Sequence, residues 1–224
     1  MAVRISLREM LATGRFGPVT LGMHRDEVEH VLGRPDTVGG TSRKHREPLI
    51  WKYGTFEIHF DLGRHEVSLV YADNFRVLEG GTQLEIDSWA LSGESTREAV
   101  EDALQRESIV FAPTLYPWTD RAGELVTDGL VTLLFQAPEG TASTGPSTEK
   151  LWAISLSSSC RVVVAESIDR HKARRQSDAW IATHPELARH VSQSSIEVER
   201  IEDGNNLFRI LLHLRAAEGS NHHP

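Results

Sequence analysis

Glu57, His59 and Asp61 stand at i, i+2 and i+4 in the segment LIWKYGTFEIHFD. On an extended chain that spacing points all three side chains to one face. Two carboxylates flanking an imidazole are a donor set suited to a metal ion or to proton transfer. The same segment also supports a plainer reading. If Gly54-Thr55 is a two-residue turn, Tyr53 pairs with Phe56, Trp51 with Ile58 and Leu49 with Phe60, so the apolar residues share one face. Lys52 then falls opposite Glu57 on the other face, and Glu57, His59 and Asp61 belong to the polar side of a hairpin.

Upstream, Pro35-Asp36 together with Glu57-x-His59 traces the outline used by restriction-type nucleases, in which two carboxylates hold Mg²⁺ and a lysine orients the attacking water. Here histidine stands in the lysine's place, and Gly33-x-Pro35 already has work as a helix stop. A metal-dependent hydrolase or nuclease using Asp36, Glu57, His59 or Asp61 is therefore carried as the alternative function. The chain has 11 histidines, yet no pair at i and i+4 on a helix and no paired cysteines, so no metal or cofactor is expected. Gly-x-Ser-x-Gly, Gly-rich phosphate and dinucleotide motifs are absent. The single cysteine, Cys160, reads as a buried thiol beside an apolar strand and suits a reducing compartment. Arg43-Lys44-His45-Arg46 forms a basic loop that could grip an anion but reads first as solvated charge.

The elements that position these residues are written in the periodicity. Ser6 caps a short helix through Leu7, Met10 and Leu11 that Gly14 stops. LGMHRDEVEHVLGRPD places Val28, Val31 and Leu32 on one helical stripe, with Glu27 three residues after His24 as in a capping box and Met23 able to staple onto Val28. The hairpin over residues 49 to 60 and a strand at 67 to 71 follow. The order then recurs. STREAVEDALQR aligns with HRDEVEHVLGR at an offset of 72, and GELVTDGLVTLLF is a second hairpin turning at Asp128-Gly129. Its Val131, Leu133 and Phe135 match Phe56, Ile58 and Phe60 at an offset of 75. LWAISL supplies the matching third strand, after a Gly-, Pro- and Ser-rich loop at residues 136–150. The expected fold is α+β: two related units of a short helix plus an antiparallel three-stranded sheet, with a C-terminal helix and β-hairpin. The expected divisions are residues 1–75, 76–159 and 160–224. In the last, CRVVVA is a strand, the basic stretch DRHKARRQ leads into a helix over SDAWIATHPELARHV, Pro185 kinks that helix or begins another capped by His184, and IEVERI and LFRILLHL form a final hairpin.

The 224 residues are 39% hydrophobic and 25% charged, an ordinary globular composition that excludes fibrous and wholly disordered classes. The net charge is -8, and residues 76–159 hold 5 Lys/Arg against 13 Asp/Glu while both flanks are neutral. An acidic balance argues against nucleic acid as a partner. No apolar run is long enough for a bilayer span and no signal peptide is apparent, so no membrane association and a cytoplasmic location are expected. Acidic residues around the second helix (Glu94, Glu98, Glu101, Asp102) and before the second hairpin (Asp120, Glu124) are the candidate contacts for a basic protein partner. A third possibility is a small-ligand sensor with a pocket lined by Trp51, Trp118 or Trp152.

Gly22, Met23, Val28, Leu32, Gly33 and Pro35, followed by Trp51 and Tyr53, give residues 20 to 60 a pattern that resembles the BamE/SmpA-type helix-plus-sheet module. The fuller run, with the Arg43 to Arg46 loop and Trp51-Lys52-Tyr53-Gly54 through Phe60, is similar to uncharacterised bacterial proteins that carry no established activity. The lipidated cysteine and signal peptide of the BamE-type lipoproteins have no counterpart here, so outer-membrane assembly does not transfer. What the resemblance implies is a module used for protein binding, including in inhibitor and immunity proteins. The expected function is a non-enzymatic interaction protein, immunity-like or regulatory.

Overall fold

The computed structural model describes residues 2–40, 47–73, 75, 77–115, 122–137, 147–157, 159–167, 169–201 and 207–215. β1 (Val3–Ser6) runs directly into α1 (Leu7–Thr13). Ser6 Oγ accepts from Glu9 N, and Gly14, at φ 69°, ends the helix in the left-handed conformation that glycine tolerates best. α2 (Arg25–Leu32) carries the expected capping box: His24 Nδ1 accepts from Asp26 N, and Glu27 reaches back to His24 N at 3.1 Å. β2 (Thr37–Gly39), β3 (Ile50–Tyr53), β4 (Phe56–Phe60) and β5 (Val67–Ala72) then form a meander, with Tyr53 opposite Phe56, Lys52 opposite Glu57 and Trp51 opposite Ile58.

β6 (Leu84–Asp87) returns to pair with β1 in parallel, and α3 (Arg97–Arg106), capped by Thr96, opens a second meander of β7 (Phe111–Leu115), β8 (Ala122–Thr127), β9 (Val131–Gln136) and β10 (Lys150–Ser157). Each meander thus has four strands rather than the three expected. β2 is only three residues long, and Pro113 inside β7 removes a ladder donor, so neither reads as a strand by pattern. The second hairpin also turns more widely than expected. Val126 pairs with Thr132, and Leu130 takes a left-handed φ of 59° beyond Asp128-Gly129.

The large sheet has eleven strands in the order β12-β13-β11-β7-β8-β9-β10-β5-β4-β3-β2, so strands from all three segments of the chain share it. Here β11 (Ser159–Ser167), β12 (Val191–Ile201) and β13 (Leu207–Arg215) belong to the C-terminal segment, with α4 (Arg170–Thr183) and α5 (Pro185–Ala188) between β11 and β12. The basic stretch expected to precede the C-terminal helix is instead its first half, because Asp169 accepts from His171 N and Lys172 N and starts the helix there. Pro185 begins a separate helix, and His184 makes no side-chain cap to it.

Over the four strands on each side, the order is symmetric about the β5–β10 seam. On one side Arg25 N donates to His65 O (3.0 Å) and Val67 N to Met23 O (2.9 Å). On the other Arg97 N donates to Glu149 O and Leu151 N to Ser95 O, both at 2.9 Å. In that correspondence Val70 matches Ile154 and Ala72 matches Leu156. The seam pairs Val70 with Leu156 and Ala72 with Ile154, centred on Tyr71 opposite Ser155. Exchanging the two halves therefore leaves the pairing unchanged, as in an isologous dimer interface.

One face of this sheet carries the main core. Leu7, Met10 and Leu11 of α1, Val28 and Leu32 of α2, and Val100 and Leu104 of α3 pack on Tyr53, Phe56, Ile58, Leu125, Leu133, Phe135 and Ile154. α1 reaches across to the second meander: Thr127 Oγ1 donates to Leu11 O at 2.7 Å. A Cβ on Gly129 would lie 2.5 Å from Gly14 N and 2.8 Å from Leu11 O, so only glycine permits this approach. The opposite face breaks the symmetry. On the second meander, Ala112, Val126 and Leu130 cluster with Leu212 and Leu214 of β13 and with Leu187 of α5, and Trp180 and Ile181 of α4 pack against them. Over the first meander no such layer is present among the described residues, and the sequence follows. Lys52, Glu57 and His59 stand where the covered half has Val126, Thr132 and Leu134. One position runs the other way: Ile50 lies on the open half and Glu124 under cover.

Candidate functional site

Asp36, the first residue of the nuclease-like outline, is taken up by backbone geometry. Its Oδ2 accepts from Gly54 N (2.8 Å), and its Oδ1 from Thr82 Oγ1 (2.6 Å) and Thr82 N (3.1 Å), so the carboxylate ties the β3–β4 turn to the approach of β6. The Thr82 hydroxyl, ahead of the backbone donors, holds its pKa below the ordinary carboxylate value. Glu57 ion-pairs with Lys52 and accepts from His59 Nε2 at 2.9 Å; the Lys52 ammonium, more than His59, holds its carboxyl low. Asp61 turns into its own loop, where Oδ1 accepts from Gly63 N and Arg64 N. Glu57 and His59 thus meet, Asp61 and Asp36 serve separate turns, and no three His, Cys, Asp or Glu side chains converge as a metal site among the described residues.

The acidic candidates separate into three kinds. Glu98 and Asp102 are exposed on α3, and no ion pair engages either among the described residues. Glu94 is exposed but ion-pairs with Lys150, and Glu101 is held by Arg97 Nε at 2.9 Å, while Arg97 also reaches Glu149. Glu124 does not face solvent at all: it is 6% exposed, its Oε2 accepts from Thr114 Oγ1 at 2.7 Å, and burial pushes its pKa up to about 7. Its position on the covered side of β8 removes it from any contact surface. Asp120 lies outside the described residues, as do Arg43 to Arg46, Trp118 and residues 138–146 of the loop; Cys160 falls in β11, outside the residues whose side chains are described.

Much of the acidic excess of residues 76–159 is spent inside the molecule. Asp87 meets Arg4 (3.0 Å), Glu107 meets Arg8 (2.7 Å), and Asp128 meets Arg189 (2.5 Å) and His190 (3.4 Å). Cations from the first and last segments thus pair with anions of the middle one, a connection that net charge by segment conceals. Among the described residues no helix is long and apolar enough to cross a membrane.

Of the three tryptophans of the expected pocket, Trp118 lies outside the described residues and the other two stand in different settings. Trp51 is buried against Phe60 with ring centroids 4.9 Å apart, while Trp152 stands 43% exposed at a β-bulge in β10. Trp89, which carries no sequence signal, lines an open depression of about 310 Å³ with Ala90, Ala103, Arg106 and Glu107. These elements define an α+β protein whose sheet joins two helix-and-meander segments and a C-terminal extension. Comparison with protein-family models, with curated proteins and with solved structures returns no match for this chain.

Proposed function

We propose that the chain is a non-enzymatic protein-interaction module, immunity-like or regulatory, that meets a basic partner through the acidic surface of its second unit. The observation that supports this reading is the pair Glu98 and Asp102, exposed on α3 with no cation engaging them among the described residues, beside the exposed carboxylate of Glu94. Two unspent carboxylates on a helix whose Arg97 and Glu101 pair with each other act at rim strength: they steer encounter and register more than they add affinity. A second support is that Asp36, Glu57, His59 and Asp61 each spend polar atoms on neighbouring backbone or side chains. The BamE-like origin of the units, their duplication and a cytoplasmic setting belong to the same proposal.

The test is affinity capture from native lysate with the wild-type chain and with Glu98→Lys/Asp102→Lys, each at low and high salt. A basic protein should be retained by the wild type at low salt and lost both on charge reversal and at high salt, because screening shortens the reach of exposed charges. A partner held equally by both chains at both salts would overturn the reading.

A further inference from the structure

Trp89 has a backbone φ of 52°, a conformation that is an outlier for a bulky side chain. The strain is held in place locally: Trp89 N donates to Asp87 Oδ1 at 3.1 Å, and Asp87 is itself fixed by Arg4 across the β1–β6 pair. Strained backbone is retained where the surrounding structure over-determines it, and such residues cluster at ligand sites. Here the strain sets the indole against the core and along the wall of the open depression, whose other lining residues are Ala90, Ala103, Arg106 and Glu107.

The chemistry of that lining is asymmetric. Trp89 offers a flat aromatic surface, and Ala90 and Ala103 leave room beside it. Two charged groups complete the lining. Glu107 is neutralised by Arg8 at 2.7 Å, whereas Arg106 donates only its Nε, to Asp102 O at 3.3 Å, and forms no ion pair among the described residues. A guanidinium with its forked edge open matches a carboxylate. A volume of about 310 Å³ is at the small end of ligand sites and suits one or two fused rings.

We propose that the depression between Trp89 and the end of α3 binds a small planar aromatic carboxylate, its ring stacked on Trp89 and its carboxylate on Arg106. The site is open, and the carbonyl end of α3 opposes an anion, so binding is weak, in the millimolar range. It adjoins the Glu98 and Asp102 surface through Arg106 but uses neither carboxylate, and so stands whether or not that surface binds a protein.

The test is NMR of the ¹⁵N-labelled full chain, following the tryptophan indole N–H signals, with Trp89→Phe assigning that of Trp89. Indole-3-acetate is titrated against its neutral analogue indole-3-acetamide. The expected result is a saturable shift of the Trp89 signal with the acetate, about tenfold weaker binding of the amide, and a similar loss in Arg106→Gln, as expected when one charge-assisted contact is removed. Ala90→Leu, at an exposed position, fills the depression and should abolish the shift while leaving the remaining spectrum in place. An unmoved Trp89 signal, equal binding of acid and amide, or undiminished binding by Arg106→Gln would each overturn the proposal.

Discussion

Replacing Glu124 with Gln should change the pH dependence of stability in a way no surface carboxylate could. In the folded protein Glu124 keeps its proton up to about pH 7, because it is buried between Thr114 and Leu134 with one hydroxyl as its partner. In the unfolded chain it ionises near its ordinary value of 4.5. The unfolded state therefore binds fewer protons between these values, and stability falls as pH rises through that window, levelling off above about pH 7. The full difference amounts to about 3 kcal/mol, at 1.36 kcal/mol for each pH unit separating the two values. Glu124→Gln keeps the shape and an acceptor for Thr114 without an ionisation. Below about pH 4.5 the two proteins should differ little. By about pH 8 the variant should be the more stable by up to about 3 kcal/mol, less whatever its amide N–H groups lose by burial. Urea unfolding followed by tryptophan fluorescence at a series of pH values gives the difference directly, since every other titrating group is common to both chains. A stability difference independent of pH would show that Glu124 is solvated or paired in the folded state and would refute the reasoning.

Three further outcomes follow from particular contacts. Ser177 is fully buried on α4 and its Oγ has no hydrogen-bond partner among the described residues, so Ser177→Ala should stabilise the protein by about 1 kcal/mol in the same unfolding assay, through removal of a stranded hydroxyl and better helix propensity. Gly129→Ala should destabilise it by about 2 kcal/mol or more, because the added methyl meets the backbone of Gly14 and Leu11. Thermal unfolding would show this, and a neutral result would mean that α1 does not dock on the second meander as described. Asp36→Ala should cost about 1–2 kcal/mol near neutral pH, since Asp36 is exposed and its hydrogen bonds are partly screened. Its folded pKa is lowered, so the deficit against wild type is present above the ordinary value of 3.8 and disappears as pH falls through the folded value.

The local elements were legible because their signals are local. Ser6, His24 with Glu27, Gly14 and Gly33 mark helix ends by satisfying or releasing backbone groups within a few residues, and the alternation through LIWKYGTFEIHF sets one hairpin register and no other. Strands β2 and β7 were not legible. Three residues carry no periodicity, and Pro113 reads as a breaker until β8 is seen beside it. The start of α4 is hidden in the sequence for a related reason: a run of like charges in the first turn disfavours a helix, and the Asp169 cap decides the outcome. Among the site residues, the alternation placed Glu57 and His59 on the polar face, whereas Glu124 is written like any strand carboxylate and nothing near it in sequence foretells a cover.

The sequence by itself determined the class of fold, the helix caps and the pairing within the first hairpin, since each depends on residues close together in the chain. Tertiary structure decided which charges remain available. Arg4, Arg8 and Arg189 lie far along the chain from Asp87, Glu107 and Asp128, so only folding reveals that these carboxylates are spent. It also decided which of two matching sheet halves is covered, because the C-terminal segment continues from β7 and lays its helices over that side alone. Burial and charge pairing are properties of neighbours in space, and for Glu98, Asp102, Arg106 and Glu124 those neighbours, present or absent, set the chemistry each can do.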